Sequence, residues 1–330
     1  MNKRLTSLAA KLEENGMKSC LLTDENDIFY YSGYRPTSQS FIFVKDGEAK
    51  LFASRLENEA EKISSIDVVF LQKIAGLKKY LGGRKIAFDE QSMPSYLYLL
   101  LRKGHTLKPS SGIIKSVRAA KDSGEIHFIE KAIRETAAIY NSLDTRNQTE
   151  IGIAGQISRS ALEKGLGLSF PPIIASGRNT AFIHHRPDKT PVRENQSLLI
   201  DLGAKFNGYC ADITRTVYQG RGRKMRRILE DVSEIQMSII DSIRPGDKFP
   251  DLQKRYERLM KRKGCTVMHS IGHSIGLEVH EPAEILRQGV VITVEPGIYI
   301  KGIGGARIED MVLVTNGKPK IMSKGLFREA

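Results

Sequence analysis

The sequence predicts two domains, an α/β domain followed by an α+β domain with a mainly antiparallel sheet. The chain has 330 residues, which is enough for two domains of ordinary size. Helix-breaking residues cluster at 109–112, and short helical and strand-like segments alternate before them. Long helical patterns and a series of strand-like segments follow the cluster. We therefore expect the domain boundary there, with domains at 1–112 and 113–330.

The first domain is predicted to consist of short elements. Residues 4–15 predict a helix, because Leu5, Leu8 and Leu12 recur on one helical face. The pair Asp46-Gly47 predicts a hairpin turn between two strands. The expected strands lie at 19–22, 41–44 and 50–53, and the expected helices at 55–63 and 93–103.

The second domain is predicted to begin with two long helices. Apolar residues recur with helical spacing from Ile126 onward, and Ser123 is the expected N-cap. The next helix is expected from Glu150 to Gly165, with Thr149 as its N-cap. The remaining expected elements are helices at 224–243 and 250–263 and strands at 172–176, 197–202, 210–218, 291–294, 297–300 and 307–315.

The composition excludes several classes of protein. Hydrophobic residues make up 40% and charged residues 27%, as in ordinary globular proteins, so a disordered or fibrous chain is excluded. No apolar run approaches the roughly 18 residues that span a bilayer, and the first residues lack the apolar core of a secretory signal. Cys20, Cys210 and Cys265 are too few for a disulfide framework or a thiolate zinc site. We expect a cytoplasmic protein with no membrane partner.

The net charge of +13 has two interpretations. It could indicate nucleic-acid binding, or it could reflect a generally basic, solvated surface. The second interpretation is favoured in the absence of a recognisable nucleic-acid motif, so no nucleic-acid partner is predicted. The densest basic patch begins a predicted helix and is interpreted as a solvated helix start or an interface; it comprises Arg221, Arg223, Lys224, Arg226 and Arg227.

Two carboxylates lie on one predicted hairpin. The apolar run that begins at Leu198 ends in Asp201, Asn207-Gly208 predicts the turn, and the returning strand carries Asp212. Carboxylates on facing strands can converge on one site. An aspartate at a strand end is also a common turn or capping residue, so the hairpin alone leaves both interpretations open.

Histidines and further carboxylates interrupt other strand-like segments. HSIGHSIGLEVHE at 269–281 holds three histidines, Glu295 interrupts an apolar run, and Glu309 follows Arg307 in another. Alone, these could be polar core residues or an Arg–Glu ion pair. Together, the clustered carboxylates would repel one another unless cations were bound. Four carboxylates and one imidazole suit Mn²⁺, Co²⁺, Fe²⁺ or Zn²⁺ and are sufficient for two ions.

Five stretches of the second domain occur in the order and spacing of a known family. They are SGRNTAFIHHRP, IDLGAKFNGYCADITRT, HSIGHSIGLEVHE, TVEPGIYI and ARIED. Through them the chain from about 115 to 330 resembles the pita-bread metallopeptidases, the family of methionine aminopeptidase, Xaa-Pro aminopeptidase, Xaa-Pro dipeptidase (prolidase) and creatinase. NDIFYYSGY at 26–34 resembles the creatinase-type N-terminal domain, which methionine aminopeptidases generally lack. The resemblance implies a creatinase-like first domain, a curved sheet in the pita-bread domain, and the Xaa-Pro branch.

The resemblance also implies roles for individual residues. The implied metal ligands are Asp201, Asp212, His273, Glu295 and Glu309. Glu295 would also act as general base, and His184 and His280 would hold the substrate and stabilise the tetrahedral intermediate. The implied substrate-binding residues are His184, His280 and Arg307, with His185 and His269 in supporting positions. Because all five ligands are present, the metal-independent creatinase reaction is not expected.

The reaction that the resemblance implies is hydrolysis of the peptide bond preceding proline at a free N-terminus. Two divalent ions (Mn, Co, Zn or Fe) would hold a bridging hydroxide as nucleophile. The substrates would be Xaa-Pro dipeptides or peptides with proline second. Relatives with this two-domain layout are often dimers, so a homodimer is expected.

Two departures from the family pattern leave the substrate length open. The sequence reads His280-Glu281-Pro282 where relatives often have His-Glu-x-Pro, and Glu284 lies where some prolidases place an arginine for the substrate carboxylate. Dipeptidase and aminopeptidase activity therefore remain alternatives. Ser274 replaces a frequent glycine, a small change that we expect to be tolerated. An alternative function is a non-catalytic pita-bread protein that binds nucleic acid or protein through its basic surface.

Overall fold

A computed structural model describes residues 3–82 and 85–327. The chain divides into two compact units, the first ending at Arg118 and the second beginning at Ala119. The expected boundary after residue 112 falls inside a short helix of the first unit, Ser111–Ser116. The helix-breaking residues at 109–112 therefore end a strand and begin this helix, and the change of unit follows it.

The described part of the first unit contains one mixed sheet with short helices. The strands are β1 (Ser19–Leu22), β2 (Phe41–Lys45), β3 (Glu48–Ser54), β4 (Asp67–Leu71), β5 (Lys85–Phe88) and β6 (Thr106–Pro109). The helices are α1 (Lys3–Glu14), α2 (Glu25–Ser32), α3 (Ala60–Ile63), α4 (Ser95–Leu101) and α5 (Ser111–Ser116), with a 3₁₀ turn at Ile74–Lys79. The strand order is β4-β3-β2-β1-β5-β6; β1, β2 and β3 are antiparallel neighbours, and the other pairs are parallel. The predicted α/β class of this domain is confirmed.

Local patterns predict part of this unit well. The first helix and the hairpin turn are confirmed, with Asp46 and Gly47 at φ values of 49° and 84° between β2 and β3. The helix predicted at 55–63 is wrong over its first half, because the helix of this segment is limited to α3. Leu56 is 87% exposed there, and the Glu57 side chain is buried against another loop. Helix α2 and strands β4–β6 are additions to the predicted elements.

The described part of the second unit combines four long helices with antiparallel strands. The helices are α6 (Ser123–Ser142), α7 (Glu150–Glu163), α8 (Arg223–Ser242) and α9 (Phe249–Arg262), with a 3₁₀ turn at Gly177–Ala181. The strands are β7 (Gly167–Leu168), β8 (Ile173–Ser176), β9 (Ser197–Leu202), β10 (Ala204–Phe206), β11 (Tyr209–Cys210), β12 (Ile213–Tyr218), β13 (Val291–Val294), β14 (Gly297–Ile300), β15 (Gly304–Arg307), β16 (Asp310–Leu313) and β17 (Lys320–Ile321). They pair as β11-β10-β7, β12-β9-β8, β13-β16-β17 and β14-β15, all antiparallel. The predicted α+β class with a mainly antiparallel sheet is confirmed.

Capping residues determine where the first two helices of this unit begin. Asp122, and not the predicted Ser123, is the N-cap of α6, because its side chain accepts from the backbone N–H of Glu125 in a capping box. The predicted cap of α7 is confirmed, since the Thr149 hydroxyl accepts from the N–H of Gly152 at 3.2 Å. In the described part of the chain, no helix combines the length and apolar character needed to cross a membrane.

Two predicted strands are interrupted in the structure. The segment 210–218 divides into β11 and β12 around Ala211 and Asp212, and the segment 307–315 divides into β15 and β16 around Ile308 and Glu309. In both cases a carboxylate lies just outside the strand ladder. Hydrogen bonding of the strands therefore resumes directly after each of these two acids.

A close backbone approach shapes the hairpin that carries Asp201. Asp201 pairs with Thr214 in the β9–β12 register. Next to this pair, a Cβ atom added to Gly203 would lie 1.8 Å from the carbonyl oxygen of Ala211, so glycine is required at this position. The approach holds the chain before Asp212 against the end of β9.

The basic patch that begins with Arg221 lies at the start of α8. Arg226 donates to the carbonyl of Gly220, and Arg227 pairs with Asp231 at 3.0 Å. The residues of the patch are exposed. These contacts are typical of a solvated helix start.

The buried carboxylate of Glu57 makes the stability of the first unit dependent on pH. Its carboxylate accepts from the Tyr34 hydroxyl, from the N–H and hydroxyl of Thr37, and from the N–H of Ser38. Burial alone would raise the pKa of Glu57, but these donors lower it to about 2 from an ordinary value of 4.5. The folded state therefore favours the ionised form. Its stabilising effect should be complete above pH 4.5 and be lost as the pH falls through about 2.

We expect Glu57→Gln to lower the free energy of unfolding by about 2 kcal/mol at pH 7, because buried donors lose a charged acceptor. The difference from wild type should shrink as the pH falls from about 4.5 towards 2. Urea denaturation monitored by circular dichroism measures both effects. The exposed Glu59→Gln is the matched control and should have no effect beyond about 0.5 kcal/mol. A difference that stays constant across this pH range would contradict the prediction.

Candidate metal centre

A cavity of about 580 Å³ lies in the second unit. Its lining residues are Phe170, Pro171, Ile173, Ile183, His184, Asp201, Asp212, His269, Ser270, His273, Val279, His280, Glu295, Arg307 and Glu309. The five predicted ligands, both predicted substrate histidines and the predicted arginine all lie in this lining. His269 also lines the cavity.

Three of the carboxylates are positioned by paired strands. Asp201 is the fifth residue of β9, Asp212 directly precedes β12, and Glu309 directly precedes β16. Thr214 connects two of these strands, because its hydroxyl donates to Glu309 Oε2 at 2.8 Å and its carbonyl accepts from the N–H of Glu309 at 3.0 Å. Strands β12 and β16 are thereby held in a fixed relation, with the carboxylates of Asp212 and Glu309 beside one another.

His273 and Glu295 approach these carboxylates from another part of the unit. The segment that contains His273 runs beside β13, where Thr293 Oγ1 accepts from the N–H of His273 at 3.0 Å and donates to Glu295 at 3.3 Å. A Cβ atom added to Gly272 would lie 2.1 Å from the carbonyl oxygen of Thr293, so only glycine permits this approach. His273 Nε2 lies 3.6 Å from Asp212 Oδ2 and 3.5 Å from Glu295 Oε1.

The protonation equilibria of the cavity reflect its burial. Burial raises the pKa of Asp212 and of Glu309 well above ordinary values, and neighbouring carboxylates raise both further. Burial also raises the pKa of Glu295 to about 7 and lowers the pKa of His273 to about 4. The pKa of Asp201 is raised by burial although Arg307 opposes the shift. Burial therefore disfavours the ionised forms of these four carboxylates unless cations are bound.

Two buried carboxylate oxygens indicate that this site suits bound cations. Among the residues that the structure describes, Asp201 Oδ1 and Glu309 Oε1 are buried atoms with no hydrogen-bond partner. A buried carboxylate oxygen without a donor is costly, and a cation would satisfy it. Asp212, His273 and Glu309 each offer one ligand atom, and these atoms lie within 4.8 Å of one another. Carboxylates with one imidazole are suitable ligands for divalent metals, so the residues present fit such a group.

The Arg307 side chain is buried and donates hydrogen bonds to three other side chains. Its Nη2 donates to Asp201 Oδ2 at 2.6 Å, its Nε to the Thr214 hydroxyl at 3.0 Å, and its Nη1 to the Tyr299 hydroxyl at 3.0 Å. Burial alone would lower the pKa of Arg307, but Asp201 and other acidic groups raise it well above its ordinary value. The arginine therefore orients Asp201, and its predicted contact with substrate stays a prediction.

Sequence reasoning did not identify Tyr299 and Thr214 as parts of the site. The Tyr299 hydroxyl is 2.9 Å from His269 Nε2 and also accepts from Arg307. Burial lowers the pKa of His269 to about 4, so this ring is neutral near pH 7. Both missed residues lie on strands that carry the family motifs. Their polar side chains follow Asp212 and Glu295 closely in the sequence, and this proximity could have identified them as parts of the site.

The histidines occupy different surroundings. The ring centroids of His280 and His273 are 4.2 Å apart, which places His280 beside a candidate ligand. His184 lines the cavity, whereas His185 contacts Glu150 at 2.6 Å. Glu150, His185 and Asp188 form a second group of potential ligand atoms, and none of the three lines the cavity.

The two units and the carboxylate–imidazole cavity define a two-domain metallohydrolase. Residues 125–316 match the profile of metallopeptidase family M24, and residues 4–120 match the creatinase/prolidase N-terminal domain. The chain belongs to metallopeptidase family M24. The predicted resemblance, creatinase-like first domain and pita-bread second domain are confirmed, and the non-catalytic alternative is not favoured.

Relatives of similar length share both domains. The Xaa-Pro dipeptidase of Pyrococcus horikoshii is 31% identical over 345 aligned residues, with 98% of this chain and 97% of that protein covered. The crystal structure of the prolidase from Pyrococcus horikoshii has a TM-score of 0.91 at 30% identity and covers 98% of both chains. The X-Pro aminopeptidase structure from Thermotoga maritima has a TM-score of 0.85 at 28% identity and covers 97% of both chains.

We expect Asp212→Asn to abolish metal binding without lowering the stability of the metal-free protein. Removing one of several crowded buried charges should leave the melting temperature of the metal-free protein unchanged or raise it by about 2–4 °C. The same change should abolish the rise in melting temperature on adding Mn²⁺ or Co²⁺, because a ligand is lost. Differential scanning fluorimetry with and without each metal measures both effects.

Asp188→Asn is the matched control, because Asp188 belongs to the second group of potential ligands. This variant should keep the metal-induced rise in melting temperature. The assignment of the centre to the cavity would be refuted if the rise disappeared in Asp188→Asn and persisted in Asp212→Asn.

Proposed function

We propose that this protein hydrolyses the peptide bond preceding proline at a free N-terminus, using two divalent metal ions. The observation that carries the proposal is the convergence of four carboxylates and one imidazole in one cavity, with buried oxygens of Asp201 and Glu309 lacking donors. The similarity over the whole chain to a protein named Xaa-Pro dipeptidase supports the substrate class.

The five ligands have distinct proposed roles. Asp201 would serve one ion, His273 and Glu295 would serve the other, and Asp212 and Glu309 would serve both. The short distances from His273 to Asp212 and Glu295 support the grouping. When bound, the ions supply Lewis-acid polarisation of the scissile carbonyl and a nucleophilic hydroxide at near-neutral pH.

The protein's own residues move protons and hold the substrate. Glu295, oriented by the Thr293 hydroxyl, accepts the proton of the attacking water as general base. His184 and His280 hold the substrate and stabilise the negative charge of the tetrahedral intermediate. Arg307 supports substrate binding by orienting Asp201, to which its Nη2 donates at 2.6 Å.

The cavity lining suits a proline substrate. An Xaa-Pro bond has no amide N–H, so a site that polarises the carbonyl does not depend on that donor. The proline ring can be buried against an apolar wall without loss of hydrogen bonds. Five lining residues offer such a wall: Phe170, Pro171, Ile173, Ile183 and Val279.

Three finer features belong to this proposal. The two metal ions are manganese, cobalt, zinc or iron, each of which suits the oxygen-rich ligand set. The protein is cytoplasmic, which is supported by the free thiols of Cys20, Cys210 and Cys265. The protein is a homodimer of 36.9 kDa chains, as the family resemblance implies, and light scattering coupled to gel filtration tests this state.

The proposed substrate length is supported by the charges in the lining. Among the described lining residues, Arg307 is the one arginine or lysine, and its guanidinium is committed to Asp201, Thr214 and Tyr299. A free proline carboxylate would therefore meet no uncommitted arginine or lysine there. We expect an Xaa-Pro-Yaa tripeptide and the Xaa-Pro dipeptide to be hydrolysed with kcat/KM values within about tenfold of each other.

The experiment compares Met-Pro, Met-Pro-Ala and Met-Ala after addition of Mn²⁺, Co²⁺, Zn²⁺ or Fe²⁺ to chelator-treated protein. The two proline peptides should be hydrolysed and Met-Ala should not, and Asp212→Asn should abolish turnover. A wild-type protein inactive on both proline peptides with every metal would overturn the proposed function. Hydrolysis of the dipeptide alone would contradict the expected substrate length.

A further inference from the structure

Glu150 is a buried carboxylate outside the cavity that holds several parts of the chain. It is the first residue of α7 and is 0% exposed. Its Oε1 accepts from the N–H of Ser176 at 2.7 Å and from the side-chain amide of Asn179 at 3.0 Å. Its Oε2 is 2.6 Å from His185 Nε2 and accepts from the N–H of Asp188 at 3.3 Å.

These hydrogen bonds distinguish Glu150 from a metal ligand. An ionised carboxylate has about four lone-pair sites, and four donors already face those of Glu150. A cation at this position would have to displace donors that are fixed by the backbone of Ser176 and Asp188. Glu309, in contrast, keeps one buried oxygen without a donor.

The four donors belong to one continuous segment. It leaves β8 at Ser176, passes through the 3₁₀ turn at Gly177–Ala181 and reaches Asp188. The start of α7 also holds the far end of this segment, since the N–H of Ile151 donates to the carbonyl of Asp188 at 2.9 Å. Glu150 therefore contacts both ends of the segment and two side chains between them.

His184 lies inside this segment, next to His185. The backbone on its other side is held at the cavity, where Arg307 Nη1 donates to the carbonyl of Ile183 at 3.5 Å. His184 is thus placed between a contact from the cavity and a contact from Glu150. A displacement of about 1 Å in such a group is sufficient to cost much of its contribution to catalysis.

We propose that Glu150 is a positioning residue that holds the segment 176–188 so that His184 meets the substrate. This inference rests on the proposed function for the role of His184. In Glu150→Gln, an amide N–H₂ would replace one of the two acceptor oxygens and face a backbone N–H there, which removes at least one of the four hydrogen bonds. The volume of the side chain stays the same.

A double-mutant cycle tests whether Glu150 acts through His184. We expect Glu150→Gln to lower kcat/KM for Met-Pro about tenfold or more in the wild-type background, and by less than about twofold in His184→Ala. A purely structural role would cost the same factor in both backgrounds. Equal losses, or a Glu150→Gln protein with wild-type kcat/KM, would overturn the inference.

Two controls accompany the cycle. Glu163→Gln, at the exposed last residue of the same helix, should keep wild-type kcat/KM. His185→Ala removes one donor and leaves Glu150 intact, so it should fold if Glu150→Gln does not. It should show a smaller loss than Glu150→Gln with the same dependence on His184, and equal loss in both backgrounds would again overturn the inference.

Hydrogen exchange tests the positioning without reference to activity. In Glu150→Gln, amides of 177–188 should exchange at least about tenfold faster, while those of β13 remain unchanged. Unchanged exchange in 177–188 would overturn the inference even in a protein with no peptidase activity. A wild-type protein with no activity would overturn the proposed function alone, so the two failures are distinguishable.

Discussion

Repulsion among buried carboxylates is the constraint on which the rest of the second unit depends. Asp212 and Glu309 lie where burial and neighbouring acids both raise the pKa, and Arg307 offsets part of that charge through Asp201. Strand pairing supplies the rigidity, because Asp212 and Glu309 each directly precede a strand. The arrangement is unfavourable for the protein alone and favourable once divalent cations neutralise it. A site with this property favours bound cations because the fold prevents the acids from separating.

Buried acidic groups also support the histidine segments that border the cavity. Glu150 receives donors from the segment that carries His184, as described above. Glu281 has an analogous place beside His280, since it accepts from the N–H of Leu277 at 3.0 Å and pairs with Lys121 at 3.0 Å. The loops that carry these histidines are thereby tied to charged groups in the interior, which restricts their motion more than surface contacts would.

Local sequence patterns predict some parts of this structure well. The bounds of β13 and β14 match the prediction, and α8 and α9 differ from it by one residue at each end, because the apolar periodicity there is strong. Asp122 and Ser123 are both good capping residues, and the choice between them depends on the reciprocal bond with Glu125. The predicted ligand motifs identified much of the cavity lining, but Tyr299 and Thr214 join the site through side-chain hydrogen bonds to distant segments. No local pattern encodes such contacts, and the same applies to Glu57, whose hydrogen bonds replace the expected helix.

The Arg307–Asp201 contact has a consequence for how the protein matures. These residues are separated by 106 positions in the sequence, yet their side chains are 2.6 Å apart. Contacts of such long range close after local helices and hairpins have formed, because the entropy lost in closing a long loop must first be offset. The hairpin that carries Asp201 and Asp212 can form early, while the strands around Glu309 must still be added to it. The set of candidate ligands is therefore complete once these long-range contacts have formed, and an ion arriving during synthesis would meet an incomplete set.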